Sequence, residues 1–294
     1  MQIICVLLMD ICETILISMK KKSPPVVSII MSTYNRAHLL PQTVENIFEQ
    51  DYDGFELIII NDGSIDETQG VLEKLKAIYN FTAVNNSKNL GLQRSLNKGI
   101  GIARGKYIAR IDDHDKWIRK DKLSIQVDFL DKHPEIGLVG TAYQINKENI
   151  SNPLTDKEVR KQILMRCPFC HVTTMMRKSV LEKVGGYDET LPYSEDWDLW
   201  LKMGTQTRFA NLPDVTTEVV EEVSSLSDSY FLKQLPLNRQ LVRKYFKNYS
   251  GGVIAMIYHY FIHLFFRLAP LNGTLHNFMK KIFYLQFFTT PQEN

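Results

Sequence analysis

Three carboxylates within four residues, Asp112, Asp113 and Asp115, follow directly on the apolar run Tyr107 to Ile111. Carboxylates this close repel one another unless a cation lies among them. Oxygen ligands of this kind suit Mg²⁺ or Mn²⁺, which usually also take oxygens from a substrate diphosphate. The plainer reading is a solvated acidic turn before a helix that starts near Arg119. A second pair, Glu195 and Asp196, opens a predicted helix after Pro192-Tyr193-Ser194. Backbone N–H groups at a helix start favour the charged form of an acid, and an ionised carboxylate there can serve as a general base.

Such residues need a scaffold, and the chain from Val26 onward supplies one. β-Branched runs alternate with amphipathic stretches, the pattern of β-α-β units around a mainly parallel sheet. Strands are expected over Val26 to Met31, Glu56 to Ile60, Phe81 to Val84, Tyr107 to Ile111 and Ile136 to Gly140. Between them, residues 38 to 50 and 66 to 79 each carry one apolar helical face, and Asp66 can accept an unpaired N–H at the start of the second. In an open α/β sheet ligands bind beyond the carboxyl ends of the strands. Those ends are polar here: Ser32-Thr33-Tyr34-Asn35-Arg36, Asn61-Asp62-Gly63-Ser64, Asn89-Leu90-Gly91 and Asp112-Asp113-His114-Asp115. Taken alone, Asn61 to Ser64 is an ordinary tight turn.

After Gly140 the alternation stops, and an Asn-rich stretch from Asn146 to Asn152 is where an acceptor-binding half could begin. A helix over 155 to 166, a strand over 170 to 176, helices over 178 to 184 and 195 to 204, and strands near 207 to 210 and 215 to 220 are expected. Beyond Ser224, basic residues from Lys233 to Lys247 precede an apolar stretch, Val253 to Leu268. That stretch falls short of the roughly 20 residues needed to span a bilayer. It reads either as an interfacial helix or as part of a helical pair packed on the domain or on a second subunit.

With 294 residues, 44% apolar, the chain can bury a full core. Its 35 basic and 33 acidic residues leave a net charge of only +2, which gives no field for nonspecific nucleic-acid binding, so no nucleic-acid partner is expected. Four cysteines do not make a secreted disulfide framework and fit a reducing cytoplasm. Cys167-x-x-Cys170 lacks a second pair, so core or loop thiols are expected rather than a zinc site. Residues 1 to 18 carry Asp10 and Glu13 without a basic lead, which argues against a signal peptide. Met19 before three lysines is an alternative start; a short membrane-associating segment is the competing reading.

In order and spacing the motifs resemble family 2 glycosyltransferases of the GT-A fold. The residues concerned are Val26 to Arg36, Asn61 to Ser64, Asn89 to Gly99 and Gly105 to Asp112, then His171 to Arg177, Gly185-Gly186-Tyr187-Asp188 and Ser194 to Trp200. The resemblance implies an α/β fold with a Rossmann-like sheet and a C-terminal helical appendage. Its parts would be a nucleotide-sugar half over 24–141, an acceptor half over 142–225 and a helical, membrane-associated region over 226–294, after an extension over 1–23. It also implies roles. Thr33, Tyr34, Asn35, Arg36 and Asp62 would form the nucleotide pocket, Asp62 accepting from a uracil-like N–H, with Asn89, Gly91, Asn97 and Arg110 around the donor. Asp112 to Asp115 would meet ribose and metal, Asp115 and Asp113 being the expected metal ligands with Asp112 assisting. Asp196 would be the catalytic base, supported on the acceptor side by His171, Tyr187, Glu195 and Trp197. Read without the resemblance, His171 is a core histidine and Trp197 and Trp200 are core tryptophans.

Two departures stand out: His114 falls where relatives carry aspartate, and Val220-Glu221-Glu222-Val223 precedes Ser225-Leu226-Ser227 where relatives often carry Arg or His. The reaction expected is transfer from a nucleoside diphosphate sugar, UDP-linked by expectation, to a hydroxyl of a glycan or lipid-linked glycan. It would invert the anomeric carbon, depend on Mn²⁺ or Mg²⁺, and take place at the cytoplasmic face of a membrane in polysaccharide, lipopolysaccharide or glycolipid synthesis. A Rossmann dehydrogenase would need G-x-G-x-x-G where Ser32-Thr33-Tyr34-Asn35 stands. A catalytically inactive relative serving as a scaffold is the remaining alternative.

Overall fold

The computed structural model describes residues 24–220 and 226–268. The extension with Cys5, Cys12 and Met19, the run Glu221 to Ser225, and the chain beyond Leu268 lie outside the described residues.

The sheet begins with β1 (Val27–Thr33), buried at all seven positions and flanked in parallel by β2 (Phe55–Asn61) and β4 (Tyr107–Arg110), with Val27 level with Phe55 and with Tyr107. A strand covered on both faces needs apolar residues throughout, which is why Val27-Ser-Ile-Ile-Met shows no alternation. Successive side chains nonetheless point to opposite faces. Val27, Ile29, Met31, Leu57 and Ile59 join one core with helices α1 (Leu40–Phe48), α2 (Thr68–Lys76) and α4 (Lys122–Lys132). Ile30, Ile58 and Ile60 join the other, with α3 (Leu92–Ile102) and the later helices. Asp66 accepts the N–H of Thr68 at 3.0 Å, as expected of it, although Glu67 holds the N-cap position of α2.

The strand order is β3-β2-β1-β4-β8-β6-β9-β5, with β7 paired to β6. β3 (Thr82–Asn85) continues the parallel half. The other half is mixed: β8 (Met175–Arg177) runs antiparallel to β4 and to β6 (Ile136–Ile145), while β9 (Arg208–Glu218) is parallel to β6. Four elements differ from the sequence reading. The strand expected over 170–176 is a 3₁₀ turn, His171–Thr173, followed by β8. The two strands near 207–220 are one irregular strand, β9, whose register shifts let it bend without ending. The Asn-rich stretch is a hairpin from β6 into β7 (Glu148–Ile150), turned by Asn146 and Lys147 with φ of 50° and 67°. The two-residue β5, Lys116–Trp117, closes the sheet edge against β9.

α5 (Asp156–Gln162) starts in a capping box between Thr155 and Glu158. α6 (Lys178–Val184) and α7 (Glu195–Met203) follow. The C-terminal α8 (Leu226–Tyr245) and α9 (Gly252–Leu268) form a pair. They are part of the core: Leu241, Val242, Tyr245, Tyr249 and Ala255 share one apolar cluster with Trp197 and Trp200 of α7.

Candidate active site

The carboxyl ends of β1, β2 and β4 converge as the parallel sheet requires. Asp62, buried after β2, organises the turn around it: Oδ1 accepts from Asn86 Nδ2 at 2.8 Å and Leu90 N at 2.9 Å, and Oδ2 from Gly91 N at 2.9 Å. Gly63 makes this possible, because at φ 72° a side chain is strained and a Cβ would lie 2.2 Å from the Lys88 carbonyl carbon. Asn35, also left-handed at φ 54°, ties the first strand end to the second, its N–H donating to Ser64 Oγ and its Oδ1 accepting from Ile65 N. Thr33 is buried with its hydroxyl unpartnered. Tyr34 projects beside it, 41% exposed. Asn89 is exposed and accepts from Gly91 N.

After β4 the chain turns sharply, and the four acidic-run residues separate by role. Asp112, His114 and Asp115 bring one ligand atom each to within 4.8 Å of one another. Asp113 is not one of the three, although its Oδ1 lies 3.2 Å from His114 Nδ1. Its carboxylate is buried against Arg36 Nη1 at 3.0 Å, and its carbonyl accepts from Thr43 Oγ1 at 2.8 Å. Of the two expected metal ligands, Asp115 is grouped with Asp112 and His114, while Asp113 lies beside that group and is paired with Arg36.

The electrostatics fit a cation. Burial and then the neighbouring Asp112 push Asp115 up to about 7, against His114, the backbone bond from Val220 N at 3.0 Å and Arg110. Burial would also raise Asp112, but Arg110 and His114 outweigh it and hold that acid below its usual range. Arg110 is 2% exposed and donates to Asp112 at 2.6 Å, with Nε and Nη1 unpartnered. Burial works against its charge, yet Asp112 and Asp115 keep it protonated. His114 is likewise raised despite burial, by its bond to Asp113 and by Asp112 and Asp115. A crowded set of recessed oxygens plus an imidazole suits a divalent ion of the Mn²⁺ or Mg²⁺ kind.

The second acidic pair faces the same ground. Ser194, left-handed at φ 58°, precedes Glu195 and Asp196 at the start of α7, a strained backbone of the sort found at functional sites. Burial and Asp196 push Glu195 up to about 7, and burial raises Asp196. Asp112 and Arg110 are both near enough to act on Glu195. Asp196 Oδ1 accepts from Trp197 N at 2.7 Å, and the Cys167 thiol lies 3.8 Å from Oδ2. His171 Nε2 is 2.6 Å from Tyr187 OH. Burial and Arg110 hold His171 well below its ordinary range while burial raises Tyr187, so the neutral imidazole accepts and the phenol keeps its proton.

The helix carrying this pair is gripped from behind. Asp198, fully buried, accepts from Lys244 Nζ at 3.0 Å and from Tyr245 OH at 2.9 Å. Ser194 Oγ donates to Asn238 Oδ1 at 3.0 Å, and Tyr249 OH to Leu201 O at 2.7 Å.

Against this geometry stand the comparisons with known proteins. The pattern described as glycosyl transferase family 2 matches residues 28–185, more than half of the chain. The chain belongs to glycosyl transferase family 2. This glycosyltransferase is 34% identical over 208 residues to the putative glycosyltransferase EpsE of Bacillus subtilis, covering 68% of this chain and 74% of that protein. It is 27% identical over 254 residues to the amylovoran biosynthesis glycosyltransferase AmsE of Erwinia amylovora, covering 83% and 95%. Among solved structures, S. aureus TarS 1–349 in complex with UDP-GlcNAc superposes with a TM-score of 0.63 at 18% identity over 89% of this chain and 79% of that one. The mannosyltransferase PcManGT of Pyrobaculum calidifontis, in complex with GDP-Man and Mn²⁺, gives 0.61 at 18% over 90% and 81%. These likenesses share the GT-A fold.

Several residues of the glycosyltransferase act through others. Asn97 clasps the Gly186-Tyr187 loop, accepting from Tyr187 N and donating to Tyr187 O. Trp197 is core, its indole N–H bonded to Ile163 O at 2.6 Å. Cys167 and Cys170 are free thiols beside the carboxylates, and burial raises both well above the usual thiol range. Sequence reasoning missed three features: Val220 on Asp115, Asn86 under Asp62, and a cavity of about 330 Å³ beside the Asp112, His114 and Asp115 group, lined by His38, Gln42, His114, Asp115 and Glu218. No local pattern marks Val220, Asn86 or the cavity: Gln42 is one of four polar residues on α1, with Thr43, Glu45 and Asn46. A larger cavity, about 730 Å³, lies around Glu135, Arg160 and Thr207, where the Arg160 guanidinium is already bonded to the carbonyls of Gly204 and Thr207.

Proposed function

We propose that this glycosyltransferase moves a sugar from a nucleoside diphosphate sugar, UDP-linked, to an acceptor hydroxyl with inversion at the anomeric carbon. The observation that carries the reading is the meeting of two acidic groups over one buried cation: Asp112, His114 and Asp115 on one side, Glu195 and Asp196 on the other, and Arg110 acting electrostatically on both. An alcohol is a poor nucleophile near neutral pH, so a base must take its proton as the new bond forms. Asp196 is that base: its Oδ1 takes the Trp197 N–H and its Oδ2 meets the Cys167 thiol at 3.8 Å, a weak bond that an acceptor hydroxyl would replace. Glu195 and Arg110 tune it. The leaving diphosphate gains negative charge, and a divalent ion held by Asp112, His114 and Asp115 would supply positive charge there.

Thr33, Tyr34, Asn35 and Asp62 form the wall proposed for the nucleoside, with Gly91, Asn89 and Arg36 around it. The UDP-GlcNAc and GDP-Man/Mn²⁺ complexes of the neighbouring folds support a nucleotide sugar and a metal as ligands. The name of the AmsE relative supports polysaccharide synthesis as the setting. We infer a glycan or lipid-linked glycan acceptor, met peripherally at the cytoplasmic face of a membrane; among the described residues no helix is long and apolar enough to cross one. Thermal melting against a panel of nucleotide sugars with Mn²⁺ tests the donor assignment. A ligand at 100 times its dissociation constant adds about 2.7 kcal/mol. Stabilisation by a UDP-sugar that requires Mn²⁺ is expected, and no shift with any nucleotide sugar would overturn the reading.

A further inference from the structure

Helix α9 is apolar on both sides. Toward the domain, Ala255, Ile262 and Phe266 are buried and His259 Nε2 is 2.9 Å from the Leu164 carbonyl. The opposite side exposes Val253, Ile254, Ile257, Tyr260, Phe261 and Leu264, from 37% to 67% of each residue. Their spacing, i, i+1, i+4, i+7, i+8 and i+11, draws one stripe along the helix. Large exposed apolar residues elsewhere, such as Ile65 and Ile78, are scattered, which is ordinary; a continuous stripe is not.

The segment that carries the stripe is charged with one sign. No charged residue lies from Gly252 to Phe266, and from Phe231 to Gln292 the sequence contains no Asp or Glu while Lys233, Arg239, Arg243 and Lys247 precede the helix; Lys244 is paired with Asp198 and Asp188. Lys233, Arg243 and Lys247 are exposed. Two copies meeting through this face would bring like charges together, whereas an anionic lipid surface offers both an apolar layer and the opposite charge. The helix, 17 residues long, is about 25 Å at 1.5 Å per residue, short of the roughly 30 Å hydrocarbon layer. Its inner side is bonded to protein, so it can lie along an interface but not cross it.

We propose that the outer face of α9 docks this glycosyltransferase on an anionic lipid surface, lying in the plane of the headgroups. This deepens the membrane reading given above and rests on it only for the lipid-linked acceptor. Because α8 and α9 also hold α7, the docked surface and the proposed base belong to one packed unit.

Flotation of the full-length protein with phosphatidylcholine vesicles, and with vesicles containing phosphatidylglycerol, tests the proposal. Binding to the anionic vesicles is expected, weakening with salt. The outward pair Ile257→Asp/Phe261→Asp should abolish it, and Arg243→Glu/Lys247→Glu should weaken it by about tenfold or more, both with melting temperature and Mn²⁺-dependent donor hydrolysis unchanged. Should the first pair fail to fold, the second carries the test, because its side chains are exposed and outside the core. Failure of the wild type to bind either vesicle, equal binding to both, or undiminished binding by both variants would overturn the proposal. A wild-type dimer that the first pair converts to monomer, without vesicle binding, assigns the face to a second copy and equally overturns it. Flotation by a protein with no donor turnover would count against the proposed reaction and leave the docking surface standing.

Discussion

Removing the charge of Asp198 should loosen the helix that carries the proposed base. Asp198 is fully buried, with Lys244 Nζ at 3.0 Å and Tyr245 OH at 2.9 Å on Oδ1, and Lys202 Nζ at 3.4 Å from Oδ2. Asp198→Asn keeps the volume and one acceptor for Tyr245 but leaves two ammonium groups without their counter-charge. Breaking a buried pair from one side costs about 3–5 kcal/mol. Here the Lys244 side chain is 47% exposed and has Asp188 at 3.8 Å, so part of that cost is recovered through water and the second acid. About 2 kcal/mol remains, or roughly a 3 °C drop in melting temperature for a protein of this size. Tyr245→Phe alone should cost about 1 kcal/mol. Thermal melts of both single variants and the double variant form a cycle, whose coupling should fall in the range of about 0.5–3 kcal/mol. Transfer assays should show a reduced kcat with the donor KM unchanged, because the grip acts on α7 rather than on the nucleotide wall. Asp198→Asn within about 0.5 kcal/mol of wild type, or full activity in a chain ending before α8, would refute the reasoning.

Chelator should remove activity and Mn²⁺ or Mg²⁺ restore it; Asp115→Ala should lower transfer by about 10²-fold or more, while Asp113→Asn should keep its metal response and lose stability instead, as metal titrations and melts would show. Activity should also carry an acid limb well above the ordinary carboxylate value of about 4. Burial and mutual repulsion push Glu195 up to about 7 and burial raises Asp196, and a base works only when ionised, so turnover is present above these values and lost as pH falls through them. In a pH–rate profile, Glu195→Gln should shift the limb downward, since one negative neighbour is gone; an upward shift would contradict the coupling.

The parallel half of the fold was legible because each of β1, β2 and β4 is an unbroken apolar run ending in a polar turn, and those ends are where an α/β sheet gathers its ligands. β5 and β7 were not, because two or three residues carry no period; β7 follows a turn whose left-handed Asn146 and Lys147 read only as polar chain. In the site, the residue types near Asp112 and Asp196 were visible but their division of labour was not. Asp113 and Asp115 look equivalent in the sequence, and the difference is made by Arg36, 77 residues from Asp113, and by Val220, 105 residues from Asp115. His114 stands in the cluster with its Nδ1 2.7 Å from the same Arg36 Nη1 that meets Asp113. The apolar C-terminal stretch left an interfacial helix and a packed pair as alternatives; α9 packs one side on the domain and exposes the other.

The most direct measurement is the transfer rate of Asp196→Asn. Asp196 is inside the first turn of α7, where its Oδ1 receives Trp197 N–H at 2.7 Å, and an Asn oxygen can take that bond unchanged. Melting temperature and donor affinity should therefore match wild type while the transfer rate falls by roughly 10² to 10⁴, the range for loss of a general base. Near wild-type transfer by this variant would contradict the account. With Asp188 already engaged by Thr190 and Lys244, such a result would leave Glu195 to take the proton.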